Sequence, residues 1–309
     1  MSGDLSLAEG VLRAAGARVR VGFPLAPITS FRLGGPAALY LEAESDDDLA
    51  GAAGAVARAG VPWTVIGKGS NLLVSDAGFP GLVLRLGKRF RWTAREGSAL
   101  RAGGSMPLPA LAGVALSHGL TGLEFAIAIP ATLGGAVRMN AGAHRGSMQD
   151  VLEWLDLFSM NDGSRGRLKA AEAGFSYRRS ALPEGSIVVG AVMGLSPGDP
   201  REIRAEMETV RAWRRETQPV AEPNCGSVFK NPQDDHAARL VDAAGGKELG
   251  VGGAHVSAKH ANFIVAGPGA TAADVLRLIE LVQERVRDRF GVSLEREVQL
   301  VGDFDTTAV

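Results

Sequence analysis

Apolar residues recur at spacings of three and four in two segments of the chain, and this period predicts two amphipathic helices. The first segment, PREIRAEMETVRAWRRET, begins with Pro200, a residue type favoured in the first turn of a helix. The second begins after Thr271, has Asp274 at the capping-box position and ends at Gly291. The apolar positions are Ile203, Met207, Val210 and Trp213 in the first helix, and Val275, Leu278, Ile279, Val282 and Val286 in the second.

A third helix is predicted after Ser45, because a capping hydroxyl precedes three acids and Gly60 provides a stop. The apolar run VPWTVIG comes next and predicts a buried strand. Beyond the loop GKGSN, the sequence LLVSDAGFPGLVLRLG predicts strand, turn and strand, and its breakers are Gly78, Pro80 and Gly81. A helix followed by a strand of this apolar type indicates an α/β or α+β fold.

The other segments predict fewer regular elements. SMPLPALAGVALSHG predicts a helix that ends at Gly119, whereas GLEFAIAIPATLGGAVRMNAGAH is rich in glycine and has little helical period. The tail SLEREVQLVG alternates between apolar and polar residues, which predicts a strand over 294–301 with Glu295 and Glu297 on the same side. A change in composition at SPGDP, residues 196–200, predicts a domain boundary.

Composition and charge exclude several classes of protein. The 309 residues suffice for two or three domains, and 46% hydrophobic with 22% charged residues is typical of a soluble globular protein. A formal charge of −1 provides no electrostatic basis for binding nucleic acid or an anionic membrane. The single cysteine excludes an internal disulfide and fits a reducing compartment. The first residues include acids and no continuous apolar core, and no apolar run reaches the roughly 18 residues of a membrane helix, so we expect a cytoplasmic protein.

Two glycine-rich segments are candidates for a nucleotide site. The loop GKGSN, residues 67–71, follows a predicted strand, and its glycines allow backbone N–H groups to surround an anion. It matches neither the dinucleotide fingerprint nor the P-loop, so a tight structural turn and a phosphate site both remain open. The segment IPATLGGAVRMNAGA permits either a flat ligand against the backbone or close packing of backbone segments. The presence of both segments in one half of the chain favours a bound nucleotide.

Three further motifs contain polar or reactive groups. FSYRRS has two arginines, which either hold a carboxylate or lie on the solvated surface. NCGSVFKNP contains Cys225 and Ser227, but the serine is not in a G-x-S-x-G motif and no histidine accompanies it, which disfavours a serine hydrolase. His255 and His260 are the closest pair of histidines, and no His, Cys or Asp spacing resembles a metal site, so no metal is assigned.

Together these segments resemble the UDP-N-acetylenolpyruvoylglucosamine reductases. The resemblance extends in order over nearly the whole chain, through the sequences TSFRLGGPA, GKGSNLLVSDAGFPGLVLRLG, GLEFAIAIPATLGGAVRMNAGAH, FSYRRS, RRETQP, GSVFKNP, VSAKHANFIV and LEREVQLVG. It implies an α+β fold, in which a two-subdomain FAD-binding domain of the vanillyl-alcohol-oxidase type precedes an α+β substrate-binding domain. The implied boundaries are 1–85, 86–198 and 199–309, with a last strand, 294–301, that can pack back on the FAD domain. The chain resembles the shorter type of the family, which lacks an extra substrate-loop insertion.

The resemblance also implies site residues, cofactors and a substrate. The implied contacts to non-covalent FAD are Gly67, Lys68, Gly69, Ser70, Asn71, Leu72, Ile129, Pro130, Thr132, Gly134, Gly135 and Ala136. The implied catalytic residues are Arg178, Ser227 and Glu297, and the implied substrate contacts are Asn231, Lys230, His260 and Tyr177. NADPH would be the reductant and UDP-N-acetylglucosamine enolpyruvate the substrate, in the synthesis of a peptidoglycan precursor by a monomeric enzyme.

The implied reaction assigns a task to each catalytic residue. Hydride from reduced flavin adds to an enol ether, and negative charge then builds on the neighbouring carbon and its carboxylate. Arg178, together with Glu297 in its protonated form, would stabilise this charge, and Ser227 would protonate the carbon. Two alternatives stay open, namely a related FAD oxidase of a hydroxy acid or sugar and a catalytically inactive nucleotide-sugar-binding protein.

The chain departs from the family pattern at four positions. Ala128 and Ala131 stand where glycine is more common, and His255 stands where glutamine is usual. Cys225 replaces a small residue and has no basic partner in the sequence, so we predict that its thiol serves in packing rather than in nucleophilic attack.

Overall fold

A computed structural model describes residues 3–144 and 146–304 of the chain, which form two compact units. The first unit comprises the N-terminal segment up to Val21, Leu39–Lys68 and Gly81–Trp213. The second comprises Gly22–Ala38, Gly69–Pro80 and the chain from Arg214 onward. The second unit is therefore formed by two short segments from the first part of the chain and by the C-terminal part. The predicted boundaries at 85 and 198 stay predictions.

Both units contain helices and strands. The α-helices of the described residues are α1 (Leu5–Ala14), α2 (Asp46–Ala59), α3 (Leu108–Ser117), α4 (Leu133–Arg138), α5 (Pro200–Thr217), α6 (Ala237–Ala243) and α7 (Ala272–Phe290). The strands up to the middle of the chain are β1 (Arg20–Pro24), β2 (Pro36–Ala43), β3 (Trp63–Val65), β4 (Leu72–Val74), β5 (Phe79–Leu86), β6 (Thr93–Glu96), β7 (Ala99–Gly103), β8 (Leu120–Thr121) and β9 (Gly142–Ala143). The later strands are β10 (Gly146–Ser147), β11 (Leu152–Ser159), β12 (Arg165–Lys169), β13 (Ser186–Gly194), β14 (Ser196–Pro197), β15 (Gly250–Val251), β16 (Ala254–Val256), β17 (Ile264–Ala266) and β18 (Gln299–Val301).

The three helices with the clearest sequence signals, α2, α5 and α7, are confirmed. At α2 the Asp48 N–H donates to the Ser45 hydroxyl, and the Ser45 N–H donates to the Asp48 carboxylate, both at 3.1 Å. Thr271 and Asp274 form the same reciprocal box at α7, with bonds of 3.0 and 2.9 Å. Both helices end at the predicted glycine in a left-handed conformation. Local capping chemistry therefore sets where these helices begin and end.

Sheets organise the first unit. An antiparallel five-stranded sheet has the order β12-β11-β13-β7-β6, and a four-stranded sheet has the order β1-β2-β5-β3, in which β3 and β5 are parallel. β13 is buried along almost its whole length, as its continuous apolar sequence requires. One hydrophobic cluster includes Leu100, Leu111 and Leu155, and another includes Leu49 and Leu82. Residues of β3, β5 and β13 belong to these clusters or pack against them.

The second unit contains α6, α7, the antiparallel sheet β15-β16-β17 and a parallel pair formed by β4 and β18. The buried face of α7 packs in a cluster with Val241, Val256 and Phe229. The Asp76 carboxylate accepts hydrogen bonds of 2.9 Å from the N–H groups of Ala272 and Ala273 at the start of α7. This anion satisfies two donors that a helix cannot pair internally, and it ties the loop after β4 to the helix.

Three sequence predictions need correction. Pro80 and Gly81 lie inside β5 instead of acting as breakers in a turn before it. The predicted strand over 294–301 is regular only at β18, because the residues before it are joined to Phe229 by a single bridge at Arg296. The glycine-rich segment contains the helix α4.

Candidate active site

A cavity of about 530 Å³ lies in the first unit. Its walls come from residues that end or follow strands, together with the first turn of α4. They include Trp63–Lys68, Arg85–Lys88, Gly104–Ser105, Thr132, Gly134, Gly135, Arg138 and Gly185–Val188. A volume of this size is typical of a site for a small molecule or cofactor.

Glycines allow the cavity walls to approach each other closely. A Cβ atom on Gly67 would lie 2.5 Å from the Thr132 Oγ1 atom, and one on Gly134 would lie 2.9 Å from the Val188 carbonyl oxygen. A Cβ atom on Gly104 would collide with the same Val188 oxygen. Glycine at these positions therefore lets the backbone segments that form the cavity walls pack directly against one another.

The cavity is strongly basic although the whole chain is close to neutral. Its charged lining consists of the acid Glu42 and the cations Lys68, Arg85, Lys88, Arg91 and Arg138. Among the described residues, the backbone N–H groups of Gly67 and Lys68 donate to no protein acceptor. Cations and available N–H groups in one concave site fit the pyrophosphate of FAD, which carries negative charge and accepts several hydrogen bonds.

Five of the predicted cofactor residues line this cavity, namely Gly67, Lys68, Thr132, Gly134 and Gly135. The others lie elsewhere. Ala136 is 1% exposed within the core of the first unit, Ile129 packs against that core and Pro130 is exposed. Gly69, Ser70, Asn71 and Leu72 belong to the second unit. For the residues away from the cavity, a contact to FAD stays a prediction.

Of the cations of the cavity, only Lys68 was predicted from the sequence, and Arg85, Lys88, Arg91 and Arg138 were missed. Arg85 is a charged residue near the end of the apolar strand β5, and that exception to an apolar pattern was a usable signal. Lys88, Arg91 and Arg138 stand in polar or irregular segments where basic residues are common. These cations come from separate segments of the chain, and only the folded structure brings them together in the lining of one cavity.

Arg178 lies at the tip of a tight hairpin in the first unit. The N–H groups of Ser176 and Arg179 each donate to the carbonyl oxygen of the other, at 3.0 and 3.1 Å. Arg178 itself has φ +56°, which is uncommon for a residue with a side chain and indicates a conformation imposed by its surroundings. Its guanidinium donates to the Gly142 carbonyl oxygen at 2.7 Å and lies 5.1 Å from the centre of the Tyr177 ring. The hairpin therefore fixes the position of the arginine.

A buried asparagine supports this hairpin. Asn140 is 3% exposed, and its amide nitrogen donates to the Ser176 carbonyl oxygen and to the Gln149 side chain, both at 2.9 Å. Its amide oxygen accepts from the Gln149 N–H at 3.0 Å. The hairpin of Arg178 is thus held from both sides by hydrogen bonds to the glycine-rich segment.

Ser227 and Glu297 are brought together in the second unit. The Glu297 N–H donates to the Val228 carbonyl oxygen at 2.8 Å, and the Lys230 N–H donates to the Glu295 carbonyl oxygen at 2.9 Å. Phe229 and Arg296 form a short antiparallel bridge, so Glu297 lies opposite Val228, the residue that directly follows Ser227.

The structure distinguishes the two glutamates that the sequence left equivalent. The Glu295 carboxylate accepts from the Lys230 ammonium at 2.6 Å, and its side chain is 72% exposed. Glu297 is half-buried. The two carboxylates therefore differ in exposure, and Glu297 has the less exposed position.

The other predicted substrate residues have definite surroundings. The Asn231 amide oxygen accepts from the Ala237 N–H at 3.0 Å at the start of α6, and Tyr177 is 53% exposed. His260 is half-buried, stacks edge-on against Phe263 with ring centres 4.7 Å apart, and has a pKa lowered by burial. Their contacts with a substrate, and that of Lys230, stay predictions.

Cys225 serves in packing, as the sequence predicted. It is 3% exposed within the hydrophobic cluster of the second unit. Burial raises the pKa of its thiol, and the nearby Glu297 carboxylate raises it further. A thiol that stays protonated is a poor nucleophile.

Within the described ranges, no three His, Cys, Asp or Glu side chains lie close enough together to form a metal site. No helix in these ranges is long and apolar enough to cross a membrane.

Comparisons with known proteins agree with this arrangement. Residues 37–169 match the family described as FAD binding domain, and residues 218–301 match UDP-N-acetylenolpyruvoylglucosamine reductase, C-terminal domain. A UDP-N-acetylenolpyruvoylglucosamine reductase of Heliobacterium modesticaldum is 45% identical over 91% of this chain and 90% of its own. The chain belongs to the UDP-N-acetylenolpyruvoylglucosamine reductase family.

Further relatives of this reductase family cover almost the full chain. The protein of that name from Rubrobacter xylanophilus is 44% identical over 96% of this chain and 99% of its own. The crystal structure of the Thermus caldophilus reductase superposes with a TM-score of 0.80 and 36% identity, over 92% of this chain and 98% of that one. The predicted family, the α+β fold with its FAD-binding domain and the class of FAD-dependent oxidoreductase are confirmed.

Proposed function

We propose that this chain catalyses the NADPH-dependent reduction of UDP-N-acetylglucosamine enolpyruvate to UDP-N-acetylmuramate with non-covalently bound FAD. The observation that carries the proposal is the hydrogen bond of 2.8 Å from the Glu297 N–H to the carbonyl oxygen of Val228, the residue that directly follows Ser227. A proton donor and an acid are the groups that this reduction needs after hydride has arrived. The names of the relatives, which are reductases of this substrate, supply the identity of the substrate.

FAD, when bound, supplies the hydride that adds to the enol ether. The residues that would hold it are Gly67, Lys68, Thr132, Gly134 and Gly135, with the cations of the cavity beside its pyrophosphate. The glycines let backbone N–H groups reach the phosphate oxygens, and the arginines offset its charge. Because residues from several strands form this cavity, we expect it to be rigid and to hold the cofactor in one position.

Arg178 is proposed to bind the carboxylate of the substrate. After hydride addition, negative charge builds on the carbon next to this carboxylate and spreads onto its oxygens. A guanidinium held in place by the Gly142 carbonyl oxygen and the Tyr177 ring would bind that charge more strongly than the charge of the ground state. Glu297 in its protonated form would add a hydrogen bond to the same oxygens.

Ser227 is proposed to deliver the proton. The carbanionic carbon is a far stronger base than an alkoxide, so a positioned hydroxyl suffices as the acid. Ser227 lies directly before a segment whose backbone is hydrogen-bonded on both sides, which limits the range of positions of its hydroxyl. The product would enter peptidoglycan synthesis. We also propose that the enzyme is cytoplasmic and monomeric.

The test is a coupled assay with the purified, flavin-loaded protein. NADPH should be oxidised only when UDP-N-acetylglucosamine enolpyruvate is supplied, and UDP-N-acetylmuramate should form in equal amount. Formation of hydrogen peroxide from O₂ with a hydroxy acid or sugar would instead identify an oxidase. NADPH consumption that ignores the enolpyruvyl nucleotide would contradict the proposal.

The Ser227→Ala variant tests the proton donor separately. Reduction of the flavin by NADPH should keep its wild-type rate, while reoxidation by the enolpyruvyl nucleotide slows by about 10²–10⁴-fold, the usual contribution of general acid catalysis. Ser117→Ala, which removes an exposed hydroxyl bonded to the Val114 carbonyl oxygen, is the matched control. Reoxidation of the Ser227→Ala flavin at the control's rate would exclude this role.

A further inference from the structure

Asn262 makes an unusual set of hydrogen bonds next to Ser227. It is 4% exposed, and its side-chain oxygen accepts from the Phe229 N–H at 2.9 Å while its side-chain nitrogen donates to the Phe229 carbonyl oxygen at 2.8 Å. Its main-chain carbonyl oxygen accepts from the Val228 N–H at 2.9 Å, and its N–H donates to His260 Nδ1 at 3.2 Å. Both the main-chain groups and the side-chain amide of this buried residue therefore form hydrogen bonds.

The side-chain amide of Asn262 takes the place of a neighbouring strand. A peptide group in a sheet offers one N–H and one carbonyl oxygen to its partner, and a primary amide offers the same pair of groups. The opposite edge of the segment 228–230 pairs with the Glu295–Glu297 segment through the Val228 carbonyl oxygen and the Lys230 N–H. The residues after Ser227 are thus clamped between an asparagine on one side and the segment of Glu297 on the other.

We propose that Asn262 is a positioning residue for the proton transfer, and that it acts by fixing the backbone that carries Ser227. The inference rests on the proposed function, in which Ser227 gives the proton. Ser227 is adjacent in sequence to Val228, whose N–H and carbonyl oxygen are held by Asn262 and Glu297 respectively. Displacing a reacting group by about 1 Å can cost on the order of 10² in rate, so this clamp is where small movements would matter.

Two substitutions separate the parts of the clamp. Asn262→Ala removes both side-chain bonds to Phe229, and the buried N–H and carbonyl oxygen of Phe229 then lack partners. Asn262→Asp keeps the shape and the acceptor for the Phe229 N–H, but an ionised carboxylate cannot donate to the Phe229 carbonyl oxygen. If either variant binds too little flavin to be studied, the other still provides the measurement.

The measurement is stopped-flow kinetics of the two half-reactions of the flavin-loaded enzyme. For both variants we expect flavin reduction by NADPH to stay close to the wild-type rate and reoxidation by the enolpyruvyl nucleotide to slow by about 10- to 100-fold, as misplacement of a reacting group does. A role in folding alone would lower stability without changing the ratio of the two rates. Val286→Ala, which removes fully buried atoms from α7 in the same hydrophobic cluster, is the control for that case.

A double-mutant cycle with Ser227→Ala identifies the residue through which Asn262 acts. If Asn262 acts through the Ser227 hydroxyl, Asn262→Ala should add little to the loss already caused by Ser227→Ala. Fully additive losses, or wild-type reoxidation in both Asn262 variants, would overturn the inference while leaving the proposed function intact. Absence of substrate-dependent reoxidation in the wild-type enzyme would overturn the proposed function, and the inference with it.

Discussion

The side-chain amide of Asn71 donates a hydrogen bond of 3.0 Å to the main-chain carbonyl oxygen of Glu297, 226 residues further along the chain. The Gln299 N–H donates in turn to the Asn71 carbonyl oxygen at 3.0 Å, and β4 then runs parallel to β18. Asn71 thus ends the loop GKGSN and at the same time holds the segment of the predicted catalytic glutamate. Its side chain is engaged with protein, although the resemblance assigned it to the cofactor.

Asn71→Ala should therefore affect Glu297 more than FAD. Loss of one partly buried hydrogen bond is expected to lower the free energy of unfolding by about 1 kcal/mol, and flavin reoxidation should slow because the Glu297 segment loses an anchor. The ratio of flavin to protein absorbance should stay at the wild-type value. A large fall in bound flavin with unchanged stability would show that Asn71 is a cofactor ligand instead.

The sequence predicts elements whose signals are local and fails where distant segments decide the structure. Helices α2 and α7 were predictable because each is delimited by a capping box and a glycine within its own sequence. Gly81 was misassigned to a turn because its small size serves a close approach of the Pro62 carbonyl oxygen inside a sheet. Likewise, the pairing of β4 with β18 joins segments that no local pattern relates.

The candidate site shows the same division. Ser227, Glu297 and Arg178 could be assigned from motifs, because a resemblance in sequence carries residue identities. The partners that hold them, Asn262 and Asn140, could not, since a buried amide has no sequence signal until the fold shows which backbone it contacts. The basic cavity was equally hidden, because its cations come from separate segments.

Gly67→Ala should weaken flavin binding. The new Cβ atom would lie 2.5 Å from Thr132 Oγ1, so one wall of the cavity must move, and overpacking of this kind costs about 1–3 kcal/mol. Gly54→Ala is the matched control, because a Cβ atom there meets nothing within 4 Å inside helix α2 and helix propensity favours alanine. Titration of apoprotein with FAD gives the comparison, and equal affinities in both variants would show that the wall is not part of the flavin site.

Cys225 should be chemically silent in the folded protein. Because burial and the Glu297 carboxylate raise the pKa of the thiol, iodoacetamide at pH 8 should label it only after the protein is unfolded. Cys225→Ala should retain both half-reactions and change the free energy of unfolding by roughly 1–2 kcal/mol, as modest core substitutions do. Rapid labelling of the native protein, accompanied by loss of activity, would reopen a role for the thiol.

His260 should make the fold sensitive to acid. Burial lowers the pKa of its imidazole in the folded state, and the Lys247 charge adds to this effect, so the unfolded chain binds the proton more readily than the folded one. Between that lowered pKa and the ordinary value of about 6.5, the free energy of unfolding should fall as the pH falls.

His260→Gln should make this dependence shallower. The slope would not vanish, since burial lowers the pKa of His144 as well and that residue remains. Urea unfolding at a series of pH values from 5 to 8 provides the measurement. An identical slope in the variant would show that His260 does not titrate between the folded and unfolded states.

Arg178→Lys should slow the step in which charge builds on the substrate carboxylate. Lysine keeps the positive charge but lacks the planar pair of donors, and it cannot both reach the Gly142 carbonyl oxygen and present a second N–H in a fixed direction. We expect flavin reoxidation to fall by about 10²–10³-fold, the usual cost of losing one aligned donor to a developing anion, with flavin reduction unchanged. Arg179→Lys, at the exposed neighbouring position of the same hairpin, is the matched control. Equal reoxidation rates in the two variants would mean that the hairpin positions its arginine for a purpose other than binding this carboxylate.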